Sequence, residues 1–425
     1  MTYSKCVADG STVQQDTFEV PSITIKEVRE VIPPHCFERS TFISSLYVLR
    51  DILAIVLIYR VTIYLDSTLV ETMNTTLESF RLCLILRFVL WSIYGFAAGG
   101  FGTGLYLIGH ECGHQAFSDS KLISDCVGLI VHTALGVPYF SWRASHAQHH
   151  AFGGHMTKDL LYHVPPTRSE LGLPPLDPYK EDPTECKMTG TARQALFEAF
   201  SESPIAAALR VASLLRGVPL YSLRTSWSLR DFSVDTKHGQ QRPRRIIWSD
   251  SAILVWLAVL ALWAYIRGCW EVLTVYGIPY LWLNYQVVLA TYLQHTDPLL
   301  PRYRGSAYTF SRGALATFDR PIFCNKESFI SRIASDVVHG ATENHVIHHF
   351  FSKIPHYHAW EATSEMRRFL RSRGIETLGA PVSLAEAIRV WKECMFVEDE
   401  GDVVFHKNAH GVAHLRLVLS NPSTT

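Results

Sequence analysis

Twenty histidines stand among the 425 residues of this chain, and eight of them fall in three tight groups. The first reads His110-Glu-Cys-Gly-His114, the second His146-Ala-Gln-His149-His150 and the third His345-Val-Ile-His348-His349. Residues at i, i+3 and i+4 of a helix share a face, so each group aims two or three imidazoles at one point. That is a metal-ligand geometry. Scattered structural histidines are the plain alternative, and a single cluster can arise that way; three in one chain argue against it. The first group also matches H-E-x-x-H, the zinc-protease helix in which the glutamate, here Glu111, acts as general base. A catalytic zinc needs only three protein ligands, however, which leaves the six histidines of the other groups without work. Eight or more imidazoles are too many for one tetrahedral ion and suit two ions of higher coordination number. Imidazole sites accept zinc, copper, iron or nickel, so ligand type alone does not name the metal.

The elements that must position these groups are largely apolar. Residues 43–65, 82–109, 246–266 and 270–293 form four apolar stretches, the last two about 20 residues long, enough to cross a hydrocarbon core of ~30 Å. Their linker, Arg267-Gly268-Cys269, is so short that they form a helical hairpin, and Arg242, Arg244 and Arg245 place its outer ends in the cytoplasm. The first stretch carries Arg50, Asp51 and Arg60, and a central charge costs roughly 2.5–3.5 kcal/mol on insertion. Both arginines can snorkel, and Asp51 can pair with one of them. A Gly-rich centre at 95–104 permits close helix packing in the second stretch. Residues 122–142 hold His132, Gly136 and Pro138 between two motifs that must share a compartment, which predicts a re-entrant segment. The remainder divides into a polar arm over 1–43 and, within a membrane domain over 44–425, a cytosolic cap over 143–245 and 294–425. Inside that cap, 158–183 reads as a solvated loop and 194–223 as an interfacial amphipathic helix.

Composition agrees. Lys+Arg and Asp+Glu both number 39, so no net charge argues for a nucleic-acid partner, and the 18% charged and 48% hydrophobic content fits a membrane protein. Nine cysteines, an odd number without a C-x-x-C pair, exclude a disulfide framework and a thiolate zinc site. The first 40 residues carry charges throughout and no apolar run, so insertion rests on internal segments.

All three groups adjoin apolar segments, and with the hairpin's ends in the cytosol they can meet at the cytosolic face of a lipid bilayer. A buried apolar path would then present a lipid chain to the metals. Cutting an unactivated C–H bond calls for an oxygen-activating metal cofactor, which two irons and dioxygen supply. A non-enzymatic metal transporter predicts ionisable residues in mid-span, whereas these histidines stand at segment ends.

The chain resembles the integral-membrane fatty acid desaturases, specifically the fungal and plant Δ12 (omega-6) oleate type. The likeness is carried by HECGHQAFS at 110–118, SHAQHHAFGGHMTKD at 145–159, LQHTDPLLPRY at 293–303, RGALATFDR at 312–320 and HHFFSKIPHYHAWEAT at 348–363. TIKEVREVIPPHCFERS at 24–40 and WKECMFVEDEGDVVFHKNA at 391–409 extend it to nearly the whole chain. The resemblance implies an all-α membrane bundle and a non-haem di-iron centre ligated by His110, His114, His146, His149, His150, His345, His348 and His349, with His295 as a further ligand. It also implies that Glu111 is a hydrogen-bond partner behind the ligands. Asp159, His155, His356 and His358 stand near the groups, where loop structure and capping is at least as good a reading as a role in the site.

The implied reaction takes O2 and inserts a cis double bond at Δ12 of an oleoyl chain, borne by a fatty acyl lipid or acyl-CoA. Electrons would come from a separate cytochrome b5 and its NADH reductase, since no His-Pro-Gly-Gly haem motif is present. The implied location is the endoplasmic reticulum membrane, with the active site and both termini cytosolic. Ala147-Gln148 replaces residues that are often basic in relatives, and Glu343-Asn344 stands where an Asp is common. The same scaffold hosts hydroxylases, epoxygenases and acetylenases, so these alternatives stay open, as does a specialised metabolite chain as substrate.

Overall fold

The computed structural model describes residues 16–73, 77–159, 165–173, single positions between 197 and 212, 241–324 and 328–418. The amphipathic helix expected over 194–223 and much of the loop over 158–183 lie outside the described residues. In chain order, α1 (Ile25–Val31) precedes the long helices α2 (Thr41–Met73) and α3 (Leu77–His114). Next come α4 (Lys121–Ala134) and α5 (Tyr139–Phe152), then α6 (Gln241–Arg267) and α7 (Ile278–His295). The C-terminal part holds α8 (Phe310–Leu315), α9 (Phe329–Val337), α10 (His345–Phe350), α11 (His356–Ser372) and α12 (Leu384–Glu393).

Among the described residues, four segments are long and apolar enough to cross a membrane: α2, α3, α6 and the run Cys269–His295 that ends in α7. Their outer faces leave Leu57, Phe88, Trp248 and Leu254 largely exposed, which is costly in water and natural in lipid. The protein is therefore a multi-pass membrane protein. α2 has 33 residues and α3 has 38, against the ~20 that a bilayer requires, so each projects well beyond the hydrocarbon. Of the charges within α2, Asp51 is turned inward, fully buried and paired with Arg50 at 2.7 Å and His339 at 2.8 Å, while Arg60 is exposed. Asp66 and Arg87 pair at 2.7 Å further along the α2–α3 contact.

Glycines let the long helices approach. A Cβ placed on Gly99 of α3 would lie 2.9 Å from the Pro279 carbonyl oxygen and 3.2 Å from the Leu283 nitrogen, so α3 and α7 meet backbone to backbone. Gly109 makes room for the His132 ring of α4 in the same way. α4 and α5 meet at 106° across a corner containing Gly136, at φ +70°, and Pro138. This bend folds the second histidine group back beside the first.

Among the described residues, four very short strands accompany the helices. β1 (Asp16–Phe18) pairs in parallel with β4 (Leu415–Leu417), and β2 (Arg302–Tyr303) pairs antiparallel with β3 (Val403–Val404). They tie the start of the chain, and the segment after α7, to the tail. α1 begins with a capping box between Thr24 and Glu27 and buries Val28 against Val346, Ile347, Phe350 and Met366. Residues 23–36 thus share one hydrophobic core with the third histidine group.

Replacing Gly99 by Leu should lower stability by at least the ~1–3 kcal/mol of ordinary overpacking, because the nearest atoms, Trp282 Cβ and the Pro279 and Leu283 backbone, cannot swing aside. Detergent-purified Gly99→Leu is expected to melt below the unaltered protein or fail to accumulate. An unchanged melting temperature would show that α3 and α7 are not so closely packed.

Candidate metal centre

The histidine groups stand where helices end or bend. His110 and His114 close α3, His295 closes α7, His146, His149 and His150 lie on α5, and His345, His348 and His349 lie on α10. Their Nε2 atoms form a chain of contacts. His110 lies 2.7 Å from His146, His146 lies 3.1 Å from His150, and His150 lies 3.1 Å from His348. His114 joins these four, and the five offer ring nitrogens all within 4.8 Å of one another. A second group consists of His149, His295 and His349. There His295 Nε2 lies 3.2 Å from His149 Nε2 and 2.8 Å from His345 Nε2.

Hydrogen bonding cannot account for this arrangement. Each imidazole nitrogen carries either one hydrogen or one in-plane lone pair, so it makes one good hydrogen bond. Yet the Nε2 atoms of His146, His150 and His295 each face two others. A cation on which the lone pairs converge satisfies all of them. With metal–nitrogen bonds of ~2.1 Å, ligands at right angles stand about 3 Å apart, which agrees with the contacts above. His114 Nε2 and His349 Nε2 are buried and have no hydrogen-bond partner among the described residues. The donor set therefore fits two metal ions, one beside each group.

Electrostatics prepares the ligands. Burial, reinforced by neighbouring imidazoles, pushes His345 and His349 well below the usual histidine range. Burial likewise lowers His348 to about 4. These rings are neutral at pH 7, the form that binds metal. Behind them, His149 Nδ1 meets Asp159 Oδ1 at 3.0 Å, and Asp159 Oδ2 accepts from the Gly154 N–H at 3.1 Å. Burial works against ionisation of Asp159, but His149, Arg302 and the Gly154 N–H hold it below the ordinary range. The carboxylate keeps the His149 proton on Nδ1 and turns the Nε2 lone pair to the site.

Two adjacent residues fix the helices that bring His295 and His345 together. Asp319 accepts from the Val346 N–H at 2.8 Å and pairs with Arg367 at 2.8 Å, pinning the start of α10. Arg320, completely buried, donates to the Leu293 carbonyl at 2.6 Å and pairs with Asp297 at 2.7 Å, pinning the end of α7. Arg302 adds a bond to the His295 carbonyl at 2.8 Å. Glu111 takes its hydrogen bonds from His356, the backbone N–H at 2.5 Å and Nδ1 at 2.9 Å. Both carboxylate oxygens are thus engaged away from the box histidines, an arrangement that does not suit a protease base.

A cavity of about 650 Å³ runs from the histidines down between α3 and α7. Ala97, Gly100, Leu107, Val287 and Ala290 line it, and His110, His146, His295, His345 and His348 stand at its head. Its size and mostly apolar wall suit an extended hydrocarbon chain.

A family model described as fatty acid desaturase matches residues 87–378. This chain belongs to the fatty acid desaturase family. It is 39% identical to a Delta(12) fatty acid desaturase of Mortierella isabellina over 92% of each chain. It is 36% identical to a Delta(12)-acyl-lipid-desaturase of Punica granatum, over 92% of this chain and 90% of that one. An oleate hydroxylase of Claviceps purpurea is 34% identical, over 92% and 82%. The protein is accordingly a membrane oxidoreductase acting on fatty acids.

The nine histidines named from the sequence lie together in the structure, and five of them, His110, His146, His295, His345 and His348, line this cavity. The sequence reading passed over Asp159, Asp319, Arg320 and His356, placing the first and last among loop and capping residues. A signal was available in Asp319-Arg320, an ion-forming pair between the second hairpin helix and the third histidine group.

Removing the Asp159 carboxylate should weaken metal binding by about 10–100-fold, read as metal content of purified Asp159→Ala after dialysis. Acid should do the same to the unaltered protein. The ligands' protonation is disfavoured in the folded site, so their contribution is full above the ordinary value of 6.5 and is lost as pH falls from there through about 4. Metal retained unchanged across that window would contradict imidazole ligation.

Proposed function

We propose that this desaturase inserts a cis double bond at Δ12 of an oleoyl chain, converting oleate to linoleate with O2 as oxidant. One observation carries the reading: eight imidazoles converge in two groups, with His345 2.8 Å from His295 beside the second, next to an apolar cavity in a chain whose relatives are named for that position. The ligands are His110, His114, His146, His150 and His348 at one iron, and His149, His295, His345 and His349 at the other. Two irons held there would supply oxygen activation strong enough to break an unactivated C–H bond.

The chain's own residues do the rest. Leu107, Val287 and Ala290 hold the acyl chain extended and exclude water, which fixes the carbons facing the histidines. Asp159 keeps His149 in the ligating tautomer, and Asp319 and Arg320 keep α10 and α7 in register. Overall, CH2–CH2 and O2 with two electrons and two protons yield CH=CH and two waters. The electrons come one at a time from cytochrome b5 and its NADH reductase. These partners dock on the cytosolic face of the endoplasmic reticulum membrane, where both termini also lie. The arm over 1–43 and the cap over 143–245 and 294–425 belong to that face.

The similarity to an oleate hydroxylase favours a second outcome on the same site, in which oxygen is retained as a hydroxyl group. A microbial host that makes oleate but no linoleate separates the two. Gas chromatography with mass spectrometry should show a diene with cis double bonds at carbons 9 and 12. A hydroxylated chain in its place would assign the alternative, and neither product would overturn the oleate reading. His149→Ala should abolish the product while membrane insertion persists; full activity in that variant would overturn the ligand assignment.

A further inference from the structure

The short helix α9 is built inside out for a water-facing position. Its Ser328 N-cap accepts from the Ser331 N–H. Ser331 and Ser335 are buried, Ser335 donating to Glu343 at 2.5 Å, while Phe329, Ile330 and Ile333 are 77%, 69% and 47% exposed. Polar residues inward and large apolar residues outward fit a surface that meets hydrocarbon.

The depth of α9 supports that environment. A Cβ on Gly104 of α3 would lie 2.5 Å from the Val337 carbonyl oxygen and 2.8 Å from Asp51 Oδ2, so Val337 and Asp51 share a level. That level lies six residues along α3 from His110, about 9 Å down the helix from the histidines. On α2 the residues flanking Asp51, namely Leu49, Ile52 and Leu53, all face outward. The end of α9 therefore stands where a spanning helix turns leucines to lipid. It is held there from one side: Arg50 donates to the Asp336 carbonyl at 3.1 Å, and His339, at φ +52°, meets Asp51 at 2.8 Å.

α9 also borders the cavity. Ile330, Ile333 and Ala334 line it together with Phe323, and Ile330, Ile333 and Phe323 are exposed as well, which puts them at an opening. The rim of that opening is apolar and continuous with the lipid-facing surface of α3 at Phe96.

We propose that α9 lies half-sunk in the bilayer, with Phe329, Ile330 and Ile333 against lipid acyl chains, and that the gap beside Ile330, Ile333 and Phe323 is a lateral mouth of the cavity. An acyl chain of a bilayer lipid reaches the histidines through it. Residues 294–425, polar overall, thus send one helix back into the membrane. The bilayer contact stands independently of the reaction; the mouth rests on the proposed desaturation of an acyl chain in this cavity.

The test uses the full chain in nanodiscs of phosphatidylcholine whose acyl chains carry a diazirine. After photolysis and peptide mass spectrometry, adducts are expected on residues 329–333 as well as on the outer faces of α2 and α3. Adducts on the spans with none on 329–333 would overturn the bilayer contact. This readout needs no turnover, so failure of the desaturase reading leaves it intact. For the mouth, Ile333→Trp should lower kcat/KM on phospholipid-borne oleoyl chains about tenfold with metal content and melting temperature unchanged. Ile85→Trp, on the distant lipid face of α3, should match the unaltered protein. Equal kcat/KM in Ile333→Trp would overturn the mouth while leaving both the adducts and the proposed reaction standing.

Discussion

The structure depends on nine imidazole rings being forced closer together than hydrogen bonding can justify. The Nε2 atoms of His146, His150 and His295 each face two other nitrogens, and a nitrogen with one proton or one lone pair can satisfy only one of them. Burial denies them water, and the outward shell of Asp159, Asp319 and Arg320 denies them escape. Without cations such a cluster is a liability to folding; with them it becomes the strongest link between helices far apart in the chain. α3, α5, α7 and α10 each contribute at least one ring, so the metals would bind the bundle together at the point where its helices otherwise end.

The same logic explains the charges embedded in α2. A lone Asp51 inside a span would be expensive, but Arg50 and His339 meet it within hydrogen-bond distance. His339 lies in the segment between α9 and α10, so this buried polar contact couples a spanning helix to the helix bearing the third histidine group. Glu111 repeats the device: it sits between His110 and the Cys-Gly-His end of α3 and reaches His356 at the start of α11. The two contacts fasten the C-terminal helices onto the spans near the cavity head. His339 and His356 meet with tilted rings, 4.4 Å between centres, which joins the two fastenings.

Most of this was legible in the sequence. Three histidine groups at helical spacing define the centre, and four apolar stretches define the spans, because metal ligation and hydrocarbon burial both impose local periodicity on a chain. What stayed hidden acts across long sequence separations. Asp159 was visible as a residue but not as the partner of His149, since a loop through Gly153-Gly154 brings it back. Asp319 and Arg320 reach α10 and α7 by hydrogen bonds to backbone groups, which carry no side-chain signature. α9 escaped notice because nine residues are too few for a span, and its apolar face is plain only beside Asp51 and Gly104. The Arg50-Asp51 pair, read as an obstacle to the first span, is the anchor that makes that span part of the site.

A membrane oxidation imposes conflicting requirements on one location: the substrate chain belongs in hydrocarbon, while polar metal-ligating side chains belong near water. Long helices resolve the conflict. α3 is about 57 Å long by its 38 residues, roughly twice the hydrocarbon thickness, and it places lipid-facing residues such as Phe88 in one half and His110 and His114 at its tip. Its glycines fall between, from Gly95 to Gly104, where the neighbouring helix must come close and the cavity must remain open. The acyl chain can then stay in an apolar environment along its whole length and still bring one pair of carbons to the polar end. Position along the chain is thereby set by depth within the bundle, a distance measured in turns of α3 and α7. In the proposed reaction, a change of one helical turn, about 5.4 Å, in the relation between cavity and histidines would move the reacting bond by roughly four carbons, so the close backbone contact at Gly99 would help to set regiochemistry.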